Sequence, residues 1–420
     1  MYRDGGTRTL EGPGGRRFQH LYIIDRQRGR LEIGRRTRGV PRLVVFGDSV
    51  SWGYGVRDWV DIWPEQLVRD LARDTNSTHQ LALVAEPGRN MGEHYAEMAR
   101  LKSELHPDVL IYQWYVNDLE VVSNRPDAER PWHRWPWHQQ LRTHSYLYFF
   151  LDNRLAMFLP PPTRSYRDYI LQDFLPGSVE WSEFERYFHS FAVHAKEIAP
   201  RRLMVLYPQV PFIGEYPLQP IHDRMHALAG PHRMSIPPSN WIRVAGALRQ
   251  REDAVWRQVV HVPAGTSGPV VETRPYYFGD GALEILVTVS ALAAAAPEIG
   301  VLVAFDDVTN QLLDRRPLVL DPGTAGWQDA QVRLDLRGTN GNMTRFRIAL
   351  TQAPEVSIGS IDVPVDYDMA VVDLTEALNT FETHASIFDA HPNERAHRVI
   401  AEQVRHALGQ IDGEREPSPN

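Results

Sequence analysis

The first half of the chain carries four short, dense apolar runs: LVVF (43–46), LALVAEPG (81–88, ending in a turn), DVLIYQWY (108–115) and RLMVLYP (202–208). Each is too short and too apolar for a surface helix, so each reads as a buried strand. Helical patterns separate them. Asp61 is expected to N-cap a helix with Pro64 and Glu65 in its first turn and Leu67, Val68 and Leu71 on its apolar side. Met91, Tyr95, Met98 and Leu101 or Leu105 form one stripe of a second helix. Further helical patterns occur around 144–156, 181–198 and 221–228. Alternating buried strands and amphipathic helices predict a three-layer α/β/α sandwich with a mainly parallel sheet.

From about 255 the rhythm changes. ALEILVTVSA, VLVAFDD, PLVL, AQVRLDL, RFRIAL and SIDVPVDY are strand-like, and FGDG, DPGTAG and GTNGN supply turns. Even alternation in QVRLDL and RFRIAL predicts half-exposed antiparallel strands, and a β-sandwich accommodates such a set. AVVDL (370–374) restores the buried-strand style, and NERAHRVIAEQVRHAL (393–408) is amphipathic. The expected organisation is therefore a partly extended N-terminal leader (1–39), a discontinuous α/β domain (40–252 and 368–412), an inserted β-sandwich (253–367) and a disordered tail (413–420).

Composition narrows the functional classes. Of 420 residues 43% are apolar, enough for substantial cores, and the formal net charge is −8. That balance disfavours a nucleic-acid surface. The early arginines (Arg26, Arg28, Arg30, Arg35, Arg36, Arg38) read as part of a solvated leader. There is no cysteine, which excludes disulfides, thiolate metal sites and a cysteine nucleophile. The N-terminus lacks the apolar segment of a secretory signal, and no run reaches ~18 uninterrupted apolar residues. The expectation is a soluble, cytoplasmic protein without an integral membrane segment. Walker-type and Rossmann glycine motifs are absent, so no nucleotide cofactor is implied, and histidine spacing does not suggest a metal.

The chemistry concentrates at two places. In VVFGDSVSW, Ser49 stands just beyond a strand end, where open α/β sheets present reactive groups. A serine hydroxyl needs a base within hydrogen-bond reach, and the base needs an orienting partner. Near the C-terminus, FDAHPNERAHRVIAE supplies Asp389 and His391 two positions apart, with Asn393 placed to cap the last helix. A carboxylate there can hold the imidazole in one tautomer and stabilise its cationic form.

These blocks resemble those of the GDSL-type, or SGNH, hydrolases. GDSVSWGYG is similar to the family's first block, AEPGRNM to its glycine block, Tyr115-Val116-Asn117-Asp118 to its G-x-N-D block, and DAHPN to its last block, in family order. The resemblance spans roughly 40–230 and 368–410 and does not reach the β insert. It implies an SGNH-type, flavodoxin-like fold in which Ser49 attacks an ester carbonyl, His391 moves the proton and Asp389 orients His391. It further implies an oxyanion hole made by the N–H of Ser49, the N–H of Gly88 and the side-chain amide of Asn117, with no metal and no cofactor. The sequence departs from the family at Tyr115, where glycine is usual, and at the Asp389–His391 spacing, which is commonly three; Phe388 holds that commoner place. Asp48 and Asp118 read as turn-stabilising groups, and His397 as a packing residue.

Trp52, Trp132, Trp135 and Trp137 are candidate substrate contacts, since flat aromatic faces suit sugar rings and acyl chains alike. In the insert, Trp256, Tyr276, Tyr277 and Trp327 are candidate ligand contacts, with core packing the better reading of each. The resulting expectation is a cofactor-free serine ester hydrolase removing O-acyl, perhaps O-acetyl, groups from a sugar or glycan. The alternatives are a lipid or lysophospholipid esterase, an O-acyltransferase using the same serine, and a non-catalytic glycan-binding protein.

Overall fold

The computed structural model describes residues 7–12, 16–21, 36–121, 135–138, 140–141, 145, 148, 166–210, 214–245, 247–250, 258–291, 298–321, 324, 326–339, 341–351, 355–386 and 389–415. The architecture is α/β plus an antiparallel β-sandwich. The strands of the first part are β1 (Thr7–Gly12), β2 (Arg16–Leu21), β3 (Arg42–Gly47), β4 (Gln80–Ala85), β5 (Val109–Trp114) and β6 (Arg201–Leu206). With the returning strand Ala370–Asp373 they form a seven-stranded sheet, in the order β1-β2-β4-β3-β5-β6 and then Ala370–Asp373. β1 and β2 are antiparallel, and every other neighbouring pair runs parallel.

Alternate residues of the central strands face two different cores, which explains their unbroken apolar character. Val44, Phe46, Tyr112 and Trp114 pack with the helices Met91–Leu105, Val179–Ile198 and Gln219–Ala229. Leu43, Val45, Leu83 and Ile111 face the opposite layer, where Trp63 and Leu67 of helix Trp63–Asp74 meet Ile400 and Val404 of helix Glu394–Arg415.

The β unit follows helix Gln219–Ala229. Its strands are β7 (His232–Ile236), β8 (Trp241–Val244), β9 (Ala247–Gln250), β10 (Gln258–Val262), β11 (Gly268–Thr273), β12 (Ala282–Ala291), β13 (Glu298–Asp306), β14 (Leu312–Val319), β15 (Gly326–Asp335), β16 (Thr344–Leu350) and β17 (Val356–Val365). One sheet has the order β15-β12-β17-β10-β9, with β7 also on β17; the other is β14-β13-β16-β11-β8. Inward residues such as Ile285, Val287, Val332, Phe346, Ile348 and Ile361 fill the space between the sheets.

The structure differs from the sequence expectations at four places. Strands β1 and β2, within the expected leader, extend the sheet by pairing with β4. Backbone pairing needs no apolar side chain, so an arginine-rich segment can still complete an open edge. The β unit starts at β7, well before 253, because β7 pairs with β17 from Ile361↔Ile236 to Val365↔His232. Asp61 is not the N-cap: a 3-10 turn Trp59–Asp61 precedes the helix, whose cap is Ile62 without a side-chain bond. The last helix runs on to Arg415 through the start of the expected tail. Of the 144–156 helical pattern, only Ser145 and Tyr148 are among the described residues.

The β-sandwich is docked along helix Val179–Ile198. His189 Nδ1 lies 2.8 Å from the Tyr367 hydroxyl, and Tyr277 donates to Glu197 at 2.7 Å. Arg274 bridges Glu183 at 2.8 Å, and Glu183 also pairs with Arg186 at 2.9 Å. The His194 and Tyr277 rings lie 3.8 Å apart between centroids.

Candidate active site

Strand β3 ends at Gly47, where a side chain has no room: a Cβ there would lie 2.7 Å from Gln113 Oε1 and closer still to Ser51. Asp48 then caps the short helix Ser49–Trp52, its Oδ1 accepting the Val50 N–H at 2.9 Å. Gln113, a polar residue in the apolar strand β5, locks this turn from below. Its Oε1 accepts the Asp48 N–H at 3.3 Å and the Ser51 hydroxyl at 2.9 Å, and Trp63 Nε1–H donates to Ser51 Oγ at 3.2 Å. Ser49 is held on a braced turn and is 8% exposed.

His391 lies in the hairpin of His384–Ser386 with Asp389–Pro392. Asn393 fixes that hairpin to the last helix: its side-chain amide donates to the carbonyls of Glu382 (2.8 Å) and His384 (2.9 Å), and its Oδ1 accepts the Ala396 N–H at 3.1 Å. The result brings the two ends of the chain together. His391 Nε2 stands 3.0 Å from Ser49 Oγ, within the range expected of a nucleophile and its base. The exposed Tyr54 ring lies 5.1 Å from the imidazole at 31° and covers one of its faces. The side chain of Asp389, the expected orienting acid, lies outside the described residues, as does Phe388.

The glycine block meets the serine turn, and the asparagine block meets the glycine block. Glu86 N–H donates to the Gly47 carbonyl at 3.3 Å, and Asn117 Nδ2 reaches the Arg89 carbonyl at 3.4 Å. Gly88, between Glu86 and Arg89, has φ +77°, which favours glycine although a Cβ would meet nothing. Among the described residues, neither the Ser49 N–H nor the Gly88 N–H donates to another protein group. Tyr115 replaces the expected glycine at no conformational cost, because its backbone is extended (φ −137°, ψ 160°). Its N–H donates to Asp118 Oδ2 at 3.0 Å, and its ring meets Tyr207 edge-on at 5.7 Å.

Asp48 and Asp118 are fully buried and each holds a backbone N–H of its turn. Burial, and next the charge of Asp118, push the Asp48 carboxyl up to about 6. His397 is structural: its Nδ1 accepts the Trp63 N–H at 3.0 Å, and burial drives it down to about 3.

Trp52 is half-buried against the core formed with the last helix. Trp132 lies outside the described residues. Trp135 and Trp137 are exposed and packed on each other at 4.7 Å. In the β unit, Tyr276 and Tyr277 are buried, Trp327 is half-buried beside Gly359, and Trp256 lies outside the described residues. Sequence reasoning missed Gln113, Tyr54 and His94. The signals were a lone amide in a buried strand, an aromatic inside the serine block, and a histidine three positions after Met91 on the apolar side of a helix. Among the described residues there is no group of three potential metal ligands, and no helix is long and apolar enough to cross a membrane.

No family model matches the chain, and no curated protein matches it. Among solved structures, it is similar to TesA at TM-score 0.26 and 15% identity, over 45% of this chain and 72% of that one. It is also similar to the lipase Lip_vut3 from a goat rumen metagenome, at TM-score 0.26 and 16% identity, over 45% of this chain and 75% of that one. A carbohydrate-binding module from Cellvibrio mixtus lichenase 5A, solved with cellotriose, matches at TM-score 0.24 and 14% identity, over 31% of this chain and 95% of the module. Likenesses of this size carry no argument about mechanism or ligand.

Proposed function

We propose that this protein is a serine ester hydrolase of the SGNH type that forms an acyl-enzyme on Ser49. The observation that carries the reading is the 3.0 Å approach of His391 Nε2 to Ser49 Oγ on a braced turn at a strand's carboxyl end. In the proposed reaction Ser49 Oγ bonds to the ester carbonyl carbon while His391 Nε2 takes its proton. The N–H groups of Ser49 and Gly88 and the amide of Asn117 receive the developing oxyanion. Collapse breaks the bond to the alkoxy oxygen, and His391 returns the proton to the leaving alcohol. Water, deprotonated by His391, then attacks the acyl carbonyl carbon; the bond to Ser49 Oγ breaks, His391 returns the proton to that oxygen, and the acid is released. Asp389 is assigned the orienting role at His391.

The substrate class proposed is an O-acyl group, an acetyl group first, on a sugar or glycan. Support comes from the β-sandwich held against the catalytic unit, which gives a large second surface in fixed relation to Ser49, and from the exposed Trp135–Trp137 pair. The test is a p-nitrophenyl ester series from acetate to long acyl chains, run beside acetate release from acetylated glycans. Turnover greatest on acetyl esters, with acetate released from glycan, is the expected result. A preference for long chains would replace this substrate class with lipid esters. Glycan binding without turnover of any ester would replace the enzyme reading with a binding protein.

A further inference from the structure

Beneath the serine lies a buried polar cluster. Asp48, His94, Tyr112 and Asp118 are all fully buried, and they come from four different elements: the serine turn, helix Met91–Leu105, strand β5 and the 3-10 turn Val116–Leu119. Asp118 Oδ2 accepts two bonds, from the Tyr112 hydroxyl at 2.9 Å and the Tyr115 N–H at 3.0 Å. Asp118 Oδ1 has His94 Nε2 at 3.3 Å, too poorly aligned for a hydrogen bond, and among the described residues neither ring nitrogen of His94 has a hydrogen-bond partner. Asp48 Oδ1 holds the Val50 N–H, while its Oδ2 faces Ser49 Oγ at 3.5 Å. Met91 and the rings of Phe188 and Phe191 pack around Tyr112 and complete the apolar shell.

Two carboxylates buried near one another do not both ionise readily without a compensating group. Each has a separate task here: Asp48 shapes the nucleophile turn, and Asp118 shapes the turn that presents Asn117. We propose that His94 is a positioning residue for the Ser49 site, counterbalancing the two carboxylates so that both turns hold their shape together. This rests on the esterase reading of Ser49 and extends it to a group that never touches substrate. The carboxylate beside the nucleophile is Asp48, and its rise to about 6 comes from burial and then from Asp118, with the Val50 N–H, His94 and Gln113 acting in the opposite direction. Ionised, Asp48 Oδ2 can accept the Ser49 hydroxyl at 3.5 Å; protonated, it donates to Ser49 Oγ and lowers the nucleophilicity of the oxygen that His391 activates. The groups facing Asp48 are therefore Asp118, His94, Gln113 and Ser49.

The test follows the carbonyl stretch of protonated buried carboxyls by infrared spectroscopy from about pH 4 to 8. Asp48→Asn identifies the Asp48 band, and Glu185→Gln identifies that of Glu185, another buried carboxyl raised to about 8. In His94→Gln the Asp48 midpoint should move up by about one pH unit or more. The acid limb of kcat/KM for p-nitrophenyl acetate should move with it, through kcat rather than KM. Asp118→Asn should move both down, and the double variant should return them towards wild type. A folded His94→Gln with an unmoved midpoint, or with a pH-independent loss of activity, overturns the proposal. If His94→Gln does not fold, Asp118→Asn decides alone: no downward shift overturns it. Absence of wild-type turnover would instead remove the esterase reading, while the infrared arm still decides whether His94 governs Asp48.

Discussion

Ser49 and His391 are 342 positions apart in sequence, yet their side chains meet at 3.0 Å. The contact joins the end of β3 to a hairpin that Asn393 ties to the last helix, and that helix packs back on Trp63–Asp74. The sheet and its covering helices therefore set the distance, and an inserted domain of more than a hundred residues leaves it intact.

Ser49→Ala and His391→Ala should each reduce kcat for p-nitrophenyl acetate by about 10⁴-fold or more with folding unchanged, and the double variant should lose little further. Single-turnover kinetics on the three variants checks this, because residues acting as one unit give non-additive losses.

Asn117→Ala should cost about 10²–10³ in kcat with little change in KM, the signature of a donor used in the transition state. Gly88→Ala has space for its methyl group, so its effect comes through φ +77°. It should cost about 1–2 kcal/mol of stability and also lower kcat by turning the N–H.

Most of the α/β unit was legible because its strands are buried on both faces and bounded by turn chemistry. Ser49, His391 and Asn393 lie in motifs whose neighbours announce a strand end or a helix start. The polar cluster under the serine was not legible, since His94, Tyr112 and Asp118 meet only once helix and strand are packed. β1 and β2 escaped notice because edge pairing is a backbone property, and the early boundary of the β unit because HRMSI resembles a helix-to-strand linker. That Tyr115 fits where glycine is usual was not legible either, because only the fold reveals that its backbone is extended.

Acid should loosen the fold through buried neutral histidines. Burial holds His397 and His189 at about 3 in the folded chain, below the ordinary value of 6.5. The unfolded chain takes up protons below about pH 6.5 and the folded chain does not until about 3, so stability is full above that window and falls through it. His397→Asn, whose Oδ1 can accept the Trp63 N–H, should keep the Tm near neutrality and flatten part of the acid decline. His397→Ala should lower the Tm at every pH by removing that acceptor, about 1–3 kcal/mol.

The interface between the two units carries the opposite dependence. Glu185 is raised to about 8 by burial and then by Asp362 of β17. Its unfolded carboxyl ionises near 4.5, so stability is lost as pH rises from about 4.5 towards 8. Glu185→Gln should therefore raise the Tm at pH 8 and leave it nearly unchanged at about pH 4.5, as scanning calorimetry at both pH values would read.

Deleting 232–365 should destabilise the remaining unit, because helix Val179–Ile198 would expose His189, Ser190 and the Glu183–Arg186 pair that the β-sandwich now covers. Limited proteolysis of the deletion protein should cut within that helix, whereas the full chain should resist there.

The most direct measurement is intact-mass and peptide-level mass spectrometry after exposure to a fluorophosphonate. One adduct on Ser49 in the wild type, none in Ser49→Ala and strongly slowed labelling in His391→Ala is the predicted result. No adduct on the folded wild type, or an adduct on another residue that persists in Ser49→Ala, would contradict the account.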